Sequence, residues 1–189
     1  MTVPASAQPD FRAAFRKAAS SVWVVTTVLD GAPVGFTAIS VASVSVAPPL
    51  VSFNTSRTSS SLPALLATRR YAAHLLAGDG EAVARRFAGP AADRFADRAG
   101  WRWGADGLPE LLGTAARLGG AVASFTEAGD SLLVLGEVAA VTVGEAPPLV
   151  HHDRSYVSAV ALPAAPPATQ PTPAAPATPP RRHLEAVAR

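Results

Sequence analysis

The sequence predicts a mainly β domain, a barrel of short strands trimmed by short helices. Three observations predict it. Apolar runs rich in β-branched residues recur along the chain, most clearly at residues 22–29 and 132–143. Turn-forming Gly, Asp and Pro separate those runs, and every helix-like stretch between them is short. Long helices alternating with strands would instead signal a doubly wound parallel sheet.

Asp10 offers a cap to residues 11–18, where Phe11, Ala14, Phe15 and Ala18 share one helical face. That spacing predicts a short helix packed on the body. Residues 22–29 are β-branched and aromatic, and Asp30-Gly31-Ala32-Pro33 supplies turn chemistry before Val34; a β-hairpin follows. Pro48-Pro49 introduces a third strand over 50–53, where missing amide hydrogens suit a strand start. Ser59, Ser60 and Ser61 offer caps to a helix starting at Leu62, with Pro63 in its first turn. Residues 71–76 read as another strand, and 81–87 as a second short helix closed by Gly89-Pro90. Within the strand, His74 reads as a hydrogen-bonded core residue. Trp101 and Trp103, near Gly104, Asp106 and Gly107, read as the cover of a surface loop. Two late strands, 121–125 and 132–143, are joined by a turn over 127–130. From 163 to 180 the chain is Pro, Ala, Thr and one Gln, which cannot bury enough surface to offset its conformational entropy and is expected to be disordered. The expected organisation is a flexible 1–9, one domain over 10–161 and a Pro/Ala-rich tail over 162–189.

Charged residues are 16% of the 189-residue chain, thin against about 25% for an average soluble domain. Apolar area hidden in an oligomer is the expected reason. The net charge of +2 is not gathered into a basic face with stacking aromatics, so no nucleic-acid partner is expected. The absence of cysteine removes thiolate catalysis and zinc-thiolate sites, and it suits a reducing compartment. No secretory signal and no apolar run of about 20 residues is present, so a cytoplasmic protein away from membranes is expected. Adjacent His151 and His152 would point to opposite faces of a strand, which argues against a metal site.

Residues 35–60 carry the chemistry. Gly35 and Ala38 let backbone approach a ligand closely, while Thr37, Ser40 and Ser43 offer hydroxyls without bulk. Asn54, Thr55, Ser56, Thr58, Ser59 and Ser60 surround Arg57 and lead into a helix start. Free amide hydrogens there favour an anion, and an arginine can fork onto phosphate oxygens. The same features also fit plain helix caps and a strand bulge at Gly35.

Several blocks, in order, resemble the short-chain flavin reductase family. They are Val24-Val25-Thr26, Gly35-Phe36-Thr37-Ala38-Ile39-Ser40, Ser43-Val44-Ser45, Pro48-Pro49-Leu50-Val51, the helix start from Ser59, Arg86-Phe87-Ala88, Gly129-Asp130 and Leu135-Gly136-Glu137-Val138, and the likeness spans about residues 11–156. The resemblance implies a six-stranded antiparallel split β-barrel of Greek-key type, a homodimer, and hydride transfer from NADH or NADPH to FMN or FAD. It also implies an oxygenase partner that receives reduced flavin. By that likeness Thr37, Ala38, Ile39, Ser40, Ser43 and Phe53 would lie along the flavin ring and ribityl. Asn54, Thr55, Ser56, Arg57, Ser59 and Ser60 would hold the phosphate, with Arg86 and Phe87 nearby. Ser131, His152 and Tyr156 would face the nicotinamide.

One departure stands out: the family usually has Gly-Asp-His where this chain has Gly129-Asp130-Ser131. Serine donates a hydrogen bond but supplies no imidazole. Two rivals to the reductase therefore stay open, a flavin-binding carrier or auxiliary subunit without nicotinamide turnover, and a flavin-dependent enzyme acting on an organic substrate under the Trp101–Gly107 loop. The hydride step asks the protein for alignment and exclusion of water, so no acid-base residue is expected to be catalytic.

Overall fold

The computed structural model describes residues 8–160. The expected tail over 162–189 lies outside them. Helix α1 (Gln8–Lys17) leads into β1 (Ser20–Ser21), β2 (Trp23–Leu29) and β3 (Ala32–Ala38). Asp30 and Gly31, both at positive φ, form the two-residue turn of the β2–β3 hairpin, the backbone that matches strand twist. The predicted chemistry at 30–31 thus does its expected work. Strands β4 (Ala42–Val46) and β5 (Pro49–Ser56) form a second hairpin, and α2 (Leu62–Thr68) precedes β6 (Arg70–Leu76). After α3 (Glu81–Ala88) come the small hairpin β7 (Trp101–Trp103) and β8 (Pro109–Leu111), the long hairpin β9 (Thr114–Ala128) and β10 (Ser131–Val143), and the closing pair β11 (Leu149–His152) and β12 (Ser155–Ser158).

The mainly β expectation holds. Seven antiparallel strands form the main sheet in the order β3-β2-β6-β9-β10-β5-β4, beside a three-stranded sheet β1-β11-β12. Alternation along the strands divides the apolar residues between two cores. Val25 and Ala73, cross-strand neighbours, join Phe53, Leu65, Tyr71 and Val134 in one core. Val24 joins Phe87, Trp101 and Leu149 in the other.

Several expectations need correction. Helix α1 begins two residues before Asp10, and its apolar face is not packed on the body: Phe11 and Phe15 are 64% and 66% exposed and stack on each other at 4.7 Å. Ser61, at the start of α2, does not cap it, because its hydroxyl donates to the Gly35 carbonyl at 3.1 Å. Asn54, Thr55 and Ser56 extend β5 rather than opening a loop. Strand β9 starts seven residues ahead of Ala121. Trp101 and Trp103 sit on a hairpin instead of a loop, and Trp101 is buried, edge-on to Phe95.

His74 is the buried, hydrogen-bonded core residue expected. Its Nδ1 lies 3.2 Å from the Val24 carbonyl, while Nε2 has no partner among the described residues. Burial pulls its pKa down to about 4, so the ring is neutral at pH 7. Arg117, its register partner on β9, is paired with Asp106 at 2.5 Å.

Candidate functional site

Two hollows meet at Asn54, which lines both. The first, of about 350 Å³, opens where β3, β5 and α3 converge, and Thr37, Thr55, Ser56, Thr58, Ser59 and Phe87 are among its walls. Strand pairing and the register of β5 put this row of hydroxyls together. Several are already committed. Thr37 donates to the Ala84 carbonyl of α3 at 2.7 Å, and Ser56 Oγ accepts the Thr58 amide at 3.2 Å. Thr55 Oγ1 is different: it is buried and has no partner among the described residues. A buried hydroxyl left unpaired costs about 1–3 kcal/mol, and a polar ligand atom would relieve it.

Arg94, which sequence reasoning passed over, stands in the wall of this hollow and of a smaller cleft shared with Gly35, Ser60 and Ser61. Its Nη1 donates to the Gly35 carbonyl at 2.7 Å and reaches the hydroxyls of Ser61 and Ser60 at 3.1 and 3.3 Å. Nε and Nη2 donate to the Gly89 carbonyl at 3.1 and 2.9 Å. Burial lowers its pKa, yet an arginine starts so high that the charge persists. Gly35 is needed here for its bare Cα. A Cβ would lie 3.0 Å from the Val25 carbonyl and 3.1 Å from the Phe87 ring.

The two arginines singled out in the sequence point elsewhere. Arg57 pairs with Glu127 at 3.3 Å, at the far end of β9. Arg86 pairs with Asp97 at 3.2 Å. Ala38 and Phe53 belong to the first core, with Phe53 fully buried against Tyr71. Ser43 is exposed on β4, opposite Val51.

The second hollow, of about 570 Å³, lies between α1, the chain at Ile39 and Ser40, and the β11–β12 turn. Ser40 ties the two hollows together, since its Oγ accepts the Asn54 amide at 2.9 Å. Phe11, Phe15, Arg12, Arg16, His151 and Arg154 supply the outer wall. His152 is exposed beside it, and Tyr156 packs on the second core with its ring edge-on to His151 at 5.4 Å. Ser131 pairs in register with Ser56, near the first hollow rather than the second, and its hydroxyl donates to the Asp130 carboxylate at 3.0 Å.

Among the described residues no cluster of three or more His, Cys, Asp or Glu is placed to hold a metal ion. No helix there is long and apolar enough to cross a membrane.

The profile described as "Flavin reductase like domain" matches residues 15–159. An NADH:FMN oxidoreductase from Rhodococcus erythropolis is 43% identical over 152 residues, 78% of this chain and 79% of that one. The reductase subunit of a flavin-dependent monooxygenase from Mycobacterium tuberculosis is 36% identical over 136 residues, 70% and 72% of the two chains. The crystal structure of a flavin reductase domain protein from Arthrobacter sp. FB24 superposes with a TM-score of 0.77 at 35% identity, over 83% of this chain and 98% of that one. The matched span runs from the last turn of α1 to the end of β12 and takes in the walls of the first hollow and, apart from Phe11 and Arg12, those of the second, and the chain belongs to the flavin reductase like domain family.

Proposed function

We propose that this chain is an NAD(P)H:flavin oxidoreductase, passing hydride from NADH or NADPH to FMN or FAD, and that it serves as the reductase component of a two-component flavin monooxygenase. The observation that carries the reading is the hydroxyl-lined hollow with Arg94 fixed in its wall, in a chain of this family. The Rhodococcus relative's name supports the nicotinamide and flavin pair, and the mycobacterial relative's name supports an oxygenase partner.

The residues present fit a flavin. Ser56, Thr58 and Ser59, with Arg94, would hold the phosphate, and the buried Thr55 hydroxyl behind them lacks a partner among the described residues. Ile39, Ser40 and Asn54 would border the ring where the hollows meet, with Ala38 behind them in the core and Ser43 on the outer edge. A bound flavin supplies the ring that accepts hydride. The chain's part is alignment: Thr37 anchors β3 to α3, Ser40 anchors β5 to the chain after β3, and the aromatic wall at Phe87 excludes water. Arg57, after β5, and Arg86, on α3, stand outside the phosphate site in this reading, since their guanidinium groups are engaged by carboxylates.

The rest of the architecture follows the same reading. One domain over 10–161 would fold as a six-stranded Greek-key split barrel, with the seventh strand as a lip. Contact between β3 and β5 supports closure. The exposed valines of β4 and of the β10 end, Val44, Val46, Val141 and Val143, support a homodimer. A chain without cysteine supports a cytoplasmic location.

Mixing purified protein with FMN or FAD and with NADH or NADPH under air tests the activity. Nicotinamide oxidation well above that of free flavin is expected. A background rate with all four pairs would leave only a binding protein.

A further inference from the structure

The second hollow has a chemistry of its own. Three arginines border it, Arg12 and Arg16 on successive turns of α1 and Arg154 on the β11–β12 turn. None of the three is in an ion pair among the described residues, whereas Arg57, Arg85, Arg86, Arg102 and Arg117 all are. Among the described residues no acidic side chain lines the hollow. Phe11 and Phe15 stand beside the arginines with most of their surface open.

The arrangement is also held in place. The β11–β12 turn has Asp153 and Arg154 both at positive φ, a conformation that non-glycine residues adopt only where the surrounding structure holds it. The Asp153 amide donates to the carbonyl of Arg16 at 3.1 Å. That bond joins the end of α1 to the turn and sets Arg154 in the wall of the same hollow as Arg12 and Arg16. Unpaired guanidinium groups around open aromatic faces suit a ligand that carries both an anion and a flat base.

We propose that this hollow receives the adenosine pyrophosphate half of the reduced nicotinamide dinucleotide, with Arg12, Arg16 and Arg154 on the pyrophosphate and Phe11 or Phe15 under the adenine. The inference rests on the reductase reading above and deepens it. Asn54, common to both hollows, then lies between the two ligands, so a dinucleotide anchored by its distal half delivers its reactive ring toward the flavin. The arginines are specificity residues in this account: they select the donor and take no part in the hydride step.

The test compares the full chain with the variant Arg12→Glu/Arg16→Glu/Arg154→Glu, in which all three changes fall on exposed positions. ADP-ribose, which has the adenine and pyrophosphate without nicotinamide, is the binding probe, followed by equilibrium dialysis at low and high salt. Its Kd is expected to rise about tenfold or more in the variant, and the salt dependence to flatten. With FMN as acceptor, KM for NADH should rise by a similar factor. With the uncharged donor N-benzyl-1,4-dihydronicotinamide the rates of parent and variant should agree within about twofold. Unchanged ADP-ribose affinity and unchanged KM for NADH would overturn the inference while leaving the reductase reading intact. So would conversion of a dimeric parent to a monomer by the three substitutions, seen by light scattering, because the α1 face would then be covered by a second copy. If the parent oxidises neither donor with any flavin, the reductase reading falls, and this inference falls with it.

Discussion

The two hollows share Asn54 but differ in how firmly their walls are held. In the first, Arg94 is locked by the carbonyls of Gly35 and Gly89 and by two serine hydroxyls, Thr37 is bonded to α3, and Phe87 is buried. In the second, the aromatic residues of α1 are mostly exposed, the arginines lack ion pairs among the described residues, and Ile39 is 47% exposed. A preorganised wall loses little entropy on binding and so favours affinity. A looser, charged wall favours fast encounter and fast release. In the proposed reductase, the pair suits a flavin seated against a preformed wall and a reductant exchanged quickly at a looser one.

The sharpest way to break this comparison is Gly35→Val. The added carbons would collide with the Val25 carbonyl and the Phe87 ring, and overpacking of this kind costs about 3 kcal/mol. Denaturant unfolding should show that loss, and FMN affinity should vanish. A variant that stays as stable and still binds FMN would show a wall softer than the geometry implies.

Next in size is Arg94→Ala, which removes a charged donor from the first hollow. Isothermal titration should show FMN Kd rising about 30-fold, or ~2 kcal/mol, with riboflavin much less affected because it has no phosphate. Equal losses for both ligands would mean that Arg94 only braces Gly35.

Acid probes the scaffold beneath the rigid hollow. His74 keeps its proton in the fold only below about pH 4, against an ordinary value of 6.5, with burial the main cause and Arg117, Glu110 and Asp106 the charges that face it. Between those values the unfolded chain binds more protons, so stability is full above 6.5 and falls as pH drops toward 4. Chemical denaturation should show a loss of about 1 kcal/mol for the first pH unit below that point, absent in His74→Gln. An identical slope in the two proteins would remove His74 as the cause.

The smallest effect belongs to Arg57→Ala. Its pairing with Glu127 is exposed on both sides, and such pairs contribute about 0.2–1 kcal/mol. FMN affinity should change less than about threefold. A drop as large as that of Arg94→Ala would move the anion site onto the loop.

Much of the fold was legible because strand signals are local. The β-branched run of β2, the Asp30-Gly31 turn and the late run of β10 all declare themselves within a few residues. The first half of β9 did not, because Thr114-Ala-Ala-Arg-Leu-Gly-Gly120 carries few strand-forming residues. The reason for its glycine is tertiary: a Cβ on Gly120 would strike the Glu137 carbonyl of β10.

The candidate site was half legible for the same reason. The hydroxyl row at 54–59 is contiguous in sequence and lines one wall. Arg94 lies 33 residues beyond Ser61 and 59 beyond Gly35, in a stretch with no periodic pattern, so only folding shows that it faces them. Arg57 looked right by proximity, yet its nearest carboxylate, Glu127, comes from the far end of another strand. For α1, the apolar spacing was real, but helical spacing says nothing about whether a face meets the body or an open hollow.

The outermost strand β4 breaks register with β5 between Ser43 and Ser45. An irregular rim of that kind gives an incoming chain no straight row of amides to zip onto. The rim therefore presents Val44 and Val46 as exposed side chains, without the straight backbone edge on which open-ended strand pairing depends.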